Sequence, residues 1–166
     1  MSVGMIVAVS DNGVIGKNNE IPWFYKGELK WFKETTLNST VIMGRKTWES
    51  LPKKPLKGRH NIVVTSFDRS KFEAEGATVA RSVGQALATC KVEKRKDIWL
   101  IGGAGIYREG IGLADVLFIT KIPETIEIDK NTVLFPEIDE KRWALQSTRK
   151  HPHVDGLTIE AWGMAT

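Results

Sequence analysis

Cysteine is almost missing from this chain of 166 residues: Cys90 stands alone. No internal disulfide can form, which agrees with a reducing compartment, and Cys90 reads as a buried helix residue. Long hydrophobic runs are missing too. Stretches such as 5–9 and 116–119 fall far short of the roughly 20 apolar residues that span a bilayer. The N-terminus has none of the basic, apolar and small-residue order of an export signal, so a cytoplasmic protein without a membrane partner is expected. Low-complexity segments, internal repeats and linkers are not visible. No sign of charge dominates, since 24 Lys and Arg face 20 Asp and Glu for a net +4. That mild excess suits anionic ligands without requiring them. The densest basic run, residues 91–96 (KVEKRK), contains a glutamate and joins a helix-like to a strand-like segment. It reads as a solvated connection, and no nucleic-acid partner is expected. The histidines His60, His151 and His153 lack any compact metal spacing, so no metal is expected, and His151-Pro152-His153 reads as an exposed turn between the last strands.

What is present is ordinary globular usage, 42% hydrophobic and 27% charged, at a length that fits one domain over 1–166. Residues 5–9 form a short apolar run ended by Asp11-Asn12-Gly13, a buried strand followed by a turn. A long loop over 10–25 follows, of a length that is more often functional than not. Residues 28–36 predict a first helix with Leu29, Phe32 and Thr36 on one face. Residues 41–43 predict a strand, Gly44-Arg45-Lys46-Thr47 a turn into a short helix bearing Trp48 and Leu51, and a loop rich in Pro and Lys extends through Arg59. Strands are expected at 61–66, 77–81 and 97–101, with a helix over 82–90 capped by Ser82 and another over 106–110. The repeated strand-then-helix order predicts an α/β fold: a central mixed, mostly parallel sheet flanked by helices on both faces. Residues 116–122, 142–148 and 157–162 read as strands with no helix between them, an antiparallel C-terminal edge.

In such sheets ligands bind at the carboxyl ends of strands. Gly44-Arg45-Lys46-Thr47 places two cations and a hydroxyl at a helix start, where unpaired amides favour phosphate. Thr65 and Ser66 come at the end of the third strand, and the cluster Gly102-Gly103-Ala104-Gly105 follows the fifth, at 97–101. The cluster is neither the standard dinucleotide fingerprint, since Arg108 stands where the third glycine belongs, nor a P-loop. Taken singly, the glycines are more readily the mark of a tight turn. Glu28 shares its helix with Leu29 and Phe32, after a loop bearing Ile21, Trp23 and Phe24, so apolar surroundings would raise its pKa into a range useful for proton transfer. Alone it is better read as an exposed first-turn glutamate that complements the helix dipole. Among the six tryptophans, core packing explains Trp31, Trp48, Trp99, Trp143 and Trp162 better than base stacking; Trp23 is the exception.

Taken together, Ala8, Gly13-Val14-Ile15-Gly16, Ile21-Pro22-Trp23, Glu28 with Phe32-Lys33, the run from Val41-Ile42-Met43 through Trp48-Glu49-Ser50, Arg59-His60-Asn61 and Ile101-Gly102-Gly103 resemble the dihydrofolate reductase family. Thr120 and Phe135-Pro136 extend the likeness over nearly the whole chain. The resemblance implies NADPH-dependent reduction of dihydrofolate by a cytoplasmic monomer. Glu28 would bind the pterin and support protonation of its N5, with Thr120 and Trp23 assisting. Ile6, Ala8, Leu29 and Phe32 would line the pterin pocket, together with Ile101 and Tyr107. Leu51 and Leu56 would face the aminobenzoyl part, and Arg59 would pair with the α-carboxylate of the glutamate tail. For the cofactor, Ala8, Ile15 and Gly16 would hold the nicotinamide end. Gly44, Arg45, Thr47 and the segment Ile101, Gly102, Gly103, Ala104, Gly105, Ile106, Tyr107 would hold the pyrophosphate region. Lys46, Thr65 and Ser66 would take the adenosine 2′-phosphate. The sequence departs from many bacterial members in having Glu28 for Asp, Ile21 for a loop Met and Gly105 for a basic residue. A pyrimidine reductase of riboflavin synthesis would lack the pairing of Glu28 with Arg59, and a nucleic-acid-binding domain has no motif in its support.

Overall fold

The computed structural model describes residues 1–166. In chain order the first half forms β1 (Ser2–Ser10), β2 (Val14–Lys17), α1 (Lys26–Thr36), β3 (Thr40–Gly44), α2 (Arg45–Ser50), β4 (His60–Val64), α3 (Arg69–Ala74) and β5 (Thr78–Ala80). The second half forms α4 (Val83–Val92), β6 (Asp97–Leu100), α5 (Ala104–Gly110), β7 (Val116–Ile122), β8 (Thr132–Leu134), β9 (Trp143–Lys150) and β10 (Thr158–Met164). Eight strands make one mixed sheet in the order β5-β4-β3-β6-β1-β7-β10-β9, and β2 pairs with β8 in a separate ribbon. None of the helices is long and apolar enough to cross a membrane.

The chain resolves into two compact units, Met1–Met5 with Thr36–Ala114 and Ile6–Thr35 with Asp115–Thr166. In the first, every recorded strand pairing is parallel, with Val3 opposite Ile98, Ile42 opposite both Leu100 and Ile62, and Val63 opposite Val79. Strands covered on both faces are apolar at every position rather than at alternate ones, and Val41, Ile42 and Met43 are accordingly all fully buried. Trp48, also fully buried, packs with Val41, Met43, Val63, Phe72 and Val79. Cys90 lies in the core as expected. The expected cap of α4 forms: Ser82 Oγ accepts from Gln85 N at 2.9 Å, satisfying one of the unpaired amides of a helix start. No turn separates β3 from α2; Gly44 ends one and caps the other. The short helix α3 escaped the sequence pattern because it buries only Phe72 and is set by local polar contacts, Asp68 Oδ1 with Ser70 N at 2.8 Å and Arg69 with Glu73 at 2.6 Å.

In the second unit β10 runs antiparallel to β7 and β9, aligning Thr120 with Ile159 and Ile159 with Arg149. The edge strand β9 buries Trp143 and exposes most of its remainder, with Arg149 and Lys150 giving it the charged outer row that discourages further strand pairing. Helix α1 turns a different face inward from the one expected. Trp31 and Thr36 are buried, whereas Leu29 is 59% exposed, so the inward stripe runs Glu28, Trp31 with Phe32, then Thr35 with Thr36 at helical spacing. The segment 10–25, expected as loop throughout, contains β2. That strand has four residues and its partner three, too short for periodicity to reveal. The segment is held by Val14 N donating to Ser10 Oγ at 2.9 Å, and by Asn12, whose Nδ2 donates to Ile126 O at 2.7 Å and whose Oδ1 accepts from Ile126 N at 3.1 Å.

Candidate active site

In the second unit the chemistry centres on Glu28, in the first turn of α1 with only 16% of its side chain exposed. Burial withholds water from the charged form and raises its pKa above the ordinary 4.5, while neighbouring groups oppose that rise. The first is the Thr120 hydroxyl on β7, 1% exposed. It completes no hydrogen bond within ordinary geometry, so it acts as a polar neighbour of the carboxyl rather than as a formed bond. The second is His151, whose Nε2 lies 2.6 Å from Glu28 Oε2. Ile6 on β1 is buried, and Ala8, Trp23 and Phe32 are half-buried, as are Ile15 and Gly16 on β2. Ile21 and Phe24, expected to surround the acid, are 63% and 75% exposed. The apolar enclosure of Glu28 therefore comes from elsewhere, and Trp31, stacked edge-on to His151 with ring centroids 6.2 Å apart, supplies part of it.

In the first unit two helices start at glycines without side-chain caps, α2 at Gly44 and α5 at Gly103. Their first-turn amides are therefore left for an anion, and the helix dipoles favour one there. Gly44 N donates to Gly102 O at 2.8 Å, joining the two turns, and the Gly102–Gly103 peptide is cis. A Cβ added to Gly103 would lie 3.6 Å from Thr47 Oγ1, so that hydroxyl sits against the glycine turn. Gly102 has φ +112°, a conformation that only glycine adopts freely, and a Cβ there would meet the Tyr107 hydroxyl at 3.2 Å. Tyr107 is buried, which pushes its phenol pKa far up and keeps it neutral. Ile106 is buried, Ala104 half-buried and Gly105 exposed. Arg45 is braced by Glu49 at 2.7 Å and stacks 4.4 Å from the Phe67 ring centroid. Lys46 and Ser66 are exposed and Thr65 is buried, its Oγ1 accepting from Phe67 N at 3.1 Å. This set of amides, hydroxyls and cations fits a phosphate-bearing cofactor.

Arg59 lies in the same unit. Its Nε donates to Lys57 O at 3.0 Å and its Nη1 to Thr36 Oγ1 at 3.1 Å. Partial burial draws its pKa down, though a guanidinium remains charged at any physiological pH. Leu51, Leu56 and Ile101, each half-buried, pack on the Trp48 core.

Three contributors escaped the sequence reading. Asn61, noted only as part of a motif, is 2% exposed and pins the preceding loop: its Oδ1 accepts from Leu56 N at 2.9 Å, and its Nδ2 donates to Leu56 O at 3.0 Å and Arg59 O at 2.9 Å. Arg81 donates to Thr65 O and Phe67 O, both at 2.7 Å, fixing the backbone after β4. His151 is the clearest correction. Expected in an exposed turn, it lies in a turn but with its side chain wholly buried, because its partner carboxylate lies 123 positions away in the chain.

The dihydrofolate reductase family model matches residues 2–160. The chain is 42% identical over 137 residues to a dihydrofolate reductase of Buchnera aphidicola (subsp. Acyrthosiphon pisum), covering 82% of this chain and 80% of that protein. It is 40% identical over 148 residues to that of Bacillus subtilis, covering 89% and 83%. Among solved structures it is similar to dihydrofolate reductase from Enterococcus faecalis complexed with NADP(H) and RAB-propyl, at 35% identity and a TM-score of 0.83, covering 99% of this chain and 97% of that one. These matches, on a mixed α/β sheet, make the chain an NADPH-dependent oxidoreductase. The chain belongs to the dihydrofolate reductase family.

Proposed function

We propose that the chain reduces 7,8-dihydrofolate to 5,6,7,8-tetrahydrofolate with NADPH, hydride passing to pterin C6 and a proton to N5 with the support of Glu28. The observation that carries this reading is the buried Glu28 carboxyl, whose pKa is raised by burial and held back by Thr120 and His151. NADPH, when bound, supplies the hydride; the protein supplies orientation and a proton route. Ionised Glu28 accepts hydrogen bonds from the pterin ring, beside Thr120 and Trp23, while Ile6, Leu29 and Phe32 keep water from it. The 59% exposed Leu29 is an apolar surface that a flat ring would cover. Leu51 and Leu56 hold the aminobenzoyl part, and Arg59 grips the tail carboxylate with the remaining N–H groups of a guanidinium oriented by Lys57 O and Thr36 Oγ1. Ala8, Ile15 and Gly16 orient the nicotinamide carboxamide. Gly44, Arg45 and Thr47 bind pyrophosphate with Gly102, Gly103 and Gly105, while Lys46, Thr65 and Ser66 select the 2′-phosphate of NADPH. Segment 10–25 excludes water during transfer. The enzyme acts as a cytoplasmic monomer.

Loss of NADPH absorbance on adding dihydrofolate tests the reading, with the natural protein compared with Glu28→Gln. Losing a positioned proton-handling group is expected to lower turnover at neutral pH by about 10²–10⁴-fold. A fully active Gln variant would remove Glu28 from the proton route.

A further inference from the structure

His151 has an arrangement that the reaction as proposed does not use. Its side chain is fully buried, 0% exposed, and its two ring nitrogens are both engaged. Nδ1 accepts from the backbone N of His153 at 3.1 Å, and Nε2 lies 2.6 Å from Glu28 Oε2. A backbone amide can only donate, so Nδ1 carries no proton. The neutral ring must then carry its proton on Nε2 and donate it to Glu28. A second proton on Nδ1 would face the His153 N–H and break that contact. The turn around the ring is docked on α1 at further points. His153 Nε2 pairs with Glu34 Oε1, and Gly27 fits so closely that a Cβ there would meet His153 Cβ at 2.8 Å and Val154 Cγ2 at 2.6 Å. His151 N donates to Leu157 O at 3.0 Å, tying the same turn to the start of β10.

From this geometry we propose that His151 is a positioning residue for the reductase, a neutral Nε2–H donor that fixes one carboxylate oxygen of Glu28 and favours its ionised form. The proposal rests on the reading of Glu28 as the pterin-binding acid. The fixed oxygen, Oε2, sets the plane of the carboxylate, so a longer, freer Glu side chain is held in one orientation towards the ligand. A donor on Oε2 also opposes the effect of burial, keeping the acid ionised enough to accept from the pterin. The groups facing His151 are Glu28 and Trp31 from α1, His153 from its own turn, and Thr120 from β7 beside the carboxyl. Arg149 from β9 is the charged group beyond Trp31, its guanidinium 5.2 Å from that ring's centroid. Of these, only His151 places a fixed hydrogen on the carboxylate.

The test begins with the ligand-free natural protein, so that it stands apart from turnover. ¹⁵N spectra of the His151 ring at neutral pH are expected to show Nε2 protonated and Nδ1 bare; the opposite tautomer, or a doubly protonated ring, overturns the proposal. In the same protein ¹³C-labelled at glutamate, Glu28 is titrated in the natural chain, in His151→Phe and in His151→Gln. Without the donor, His151→Phe should bind the Glu28 proton roughly tenfold more tightly, moving its titration to higher pH. His151→Gln, whose amide can donate from nearly the same place, should return the titration most of the way. An unmoved titration in His151→Phe, or no recovery in His151→Gln, overturns the proposal. In NADPH-coupled assays the pH dependence of kcat/KM should follow the same order across the variants. A natural protein that titrates as expected but does not reduce dihydrofolate would defeat the reading of the reaction and leave the His151–Glu28 pairing standing.

Discussion

In the first unit the groups suited to ligands are mostly main-chain amides at the starts of α2 and α5, and their positions follow from buried parallel strands that end at Gly44 and Leu100. In the second unit the candidate chemistry sits on a single carboxylate whose proton affinity is raised by burial and held back by individual polar atoms, Thr120 Oγ1 and His151 Nε2. The first unit fixes its ligand groups by packing; the second tunes its acid by hydrogen bonding. Damage to the core should therefore dominate in the first unit, while single-atom changes should act in the second with little loss of stability.

The strongest way to break that contrast is Trp48→Ala. Emptying the centre of the first unit's core is expected to lower unfolding stability by about 3–5 kcal/mol. A shift of the urea midpoint corresponding to less than about 1 kcal/mol would show that packing around Trp48 does not hold the glycine turns. Next in size is Arg59→Leu, which removes a charged, hydrogen-bonded contact of about 1.5–3 kcal/mol. The Michaelis constant for dihydrofolate should then rise roughly 10- to 100-fold with kcat little changed. An unchanged Michaelis constant would take Arg59 out of the tail contact. The gentlest effect belongs to Glu28 and pH. Because its folded pKa lies above the ordinary 4.5, the folded state binds the proton more tightly than the unfolded chain. This contribution to stability is complete below about pH 4.5 and is lost as pH rises through the folded value. Denaturant midpoints measured across that window should fall less with rising pH in Glu28→Gln than in the natural protein. An identical slope in both would mean that burial leaves the acid's proton affinity unaltered.

The parallel strands were legible because burial on both faces leaves an unbroken apolar signature, as in Val41-Ile42-Met43, and because turn residues bound each run. The N-cap at Ser82 was legible for an equally local reason. What escaped depends on distance along the chain or on brevity. Nothing around His151 hints at Glu28, because the two are joined only after β7, β10 and β9 have paired. Asn61 reads as one more polar residue beside a strand until its hydrogen bonds to Leu56 and Arg59 are seen. The strands β2 and β8 and the helix α3 are each too short for a period to register. Leu29 was assigned to the inward face by analogy with its apolar neighbours, yet the inward face of α1 is set by Trp31. The glycine turns stand out from local chemistry, whereas the part proposed for Glu28 rests on the combined motifs, since one acid in a first helical turn is by itself better read as solvated.

The amide of His153 on Nδ1 also makes His151 an insulator. A histidine passes protons on by taking one at one nitrogen and releasing another from the opposite side. Here the opposite side ends at a peptide N–H, which is too weak an acid to hand its proton on at working pH. A relay from bulk solvent through the imidazole would have to break that contact, which leaves the exposed edge of Glu28, the 16% of its side chain that is not covered, as its direct route to solvent. On the proposed reading, ligand and solvent would share that doorway, and the seating of a pterin would decide when the carboxyl can exchange its proton.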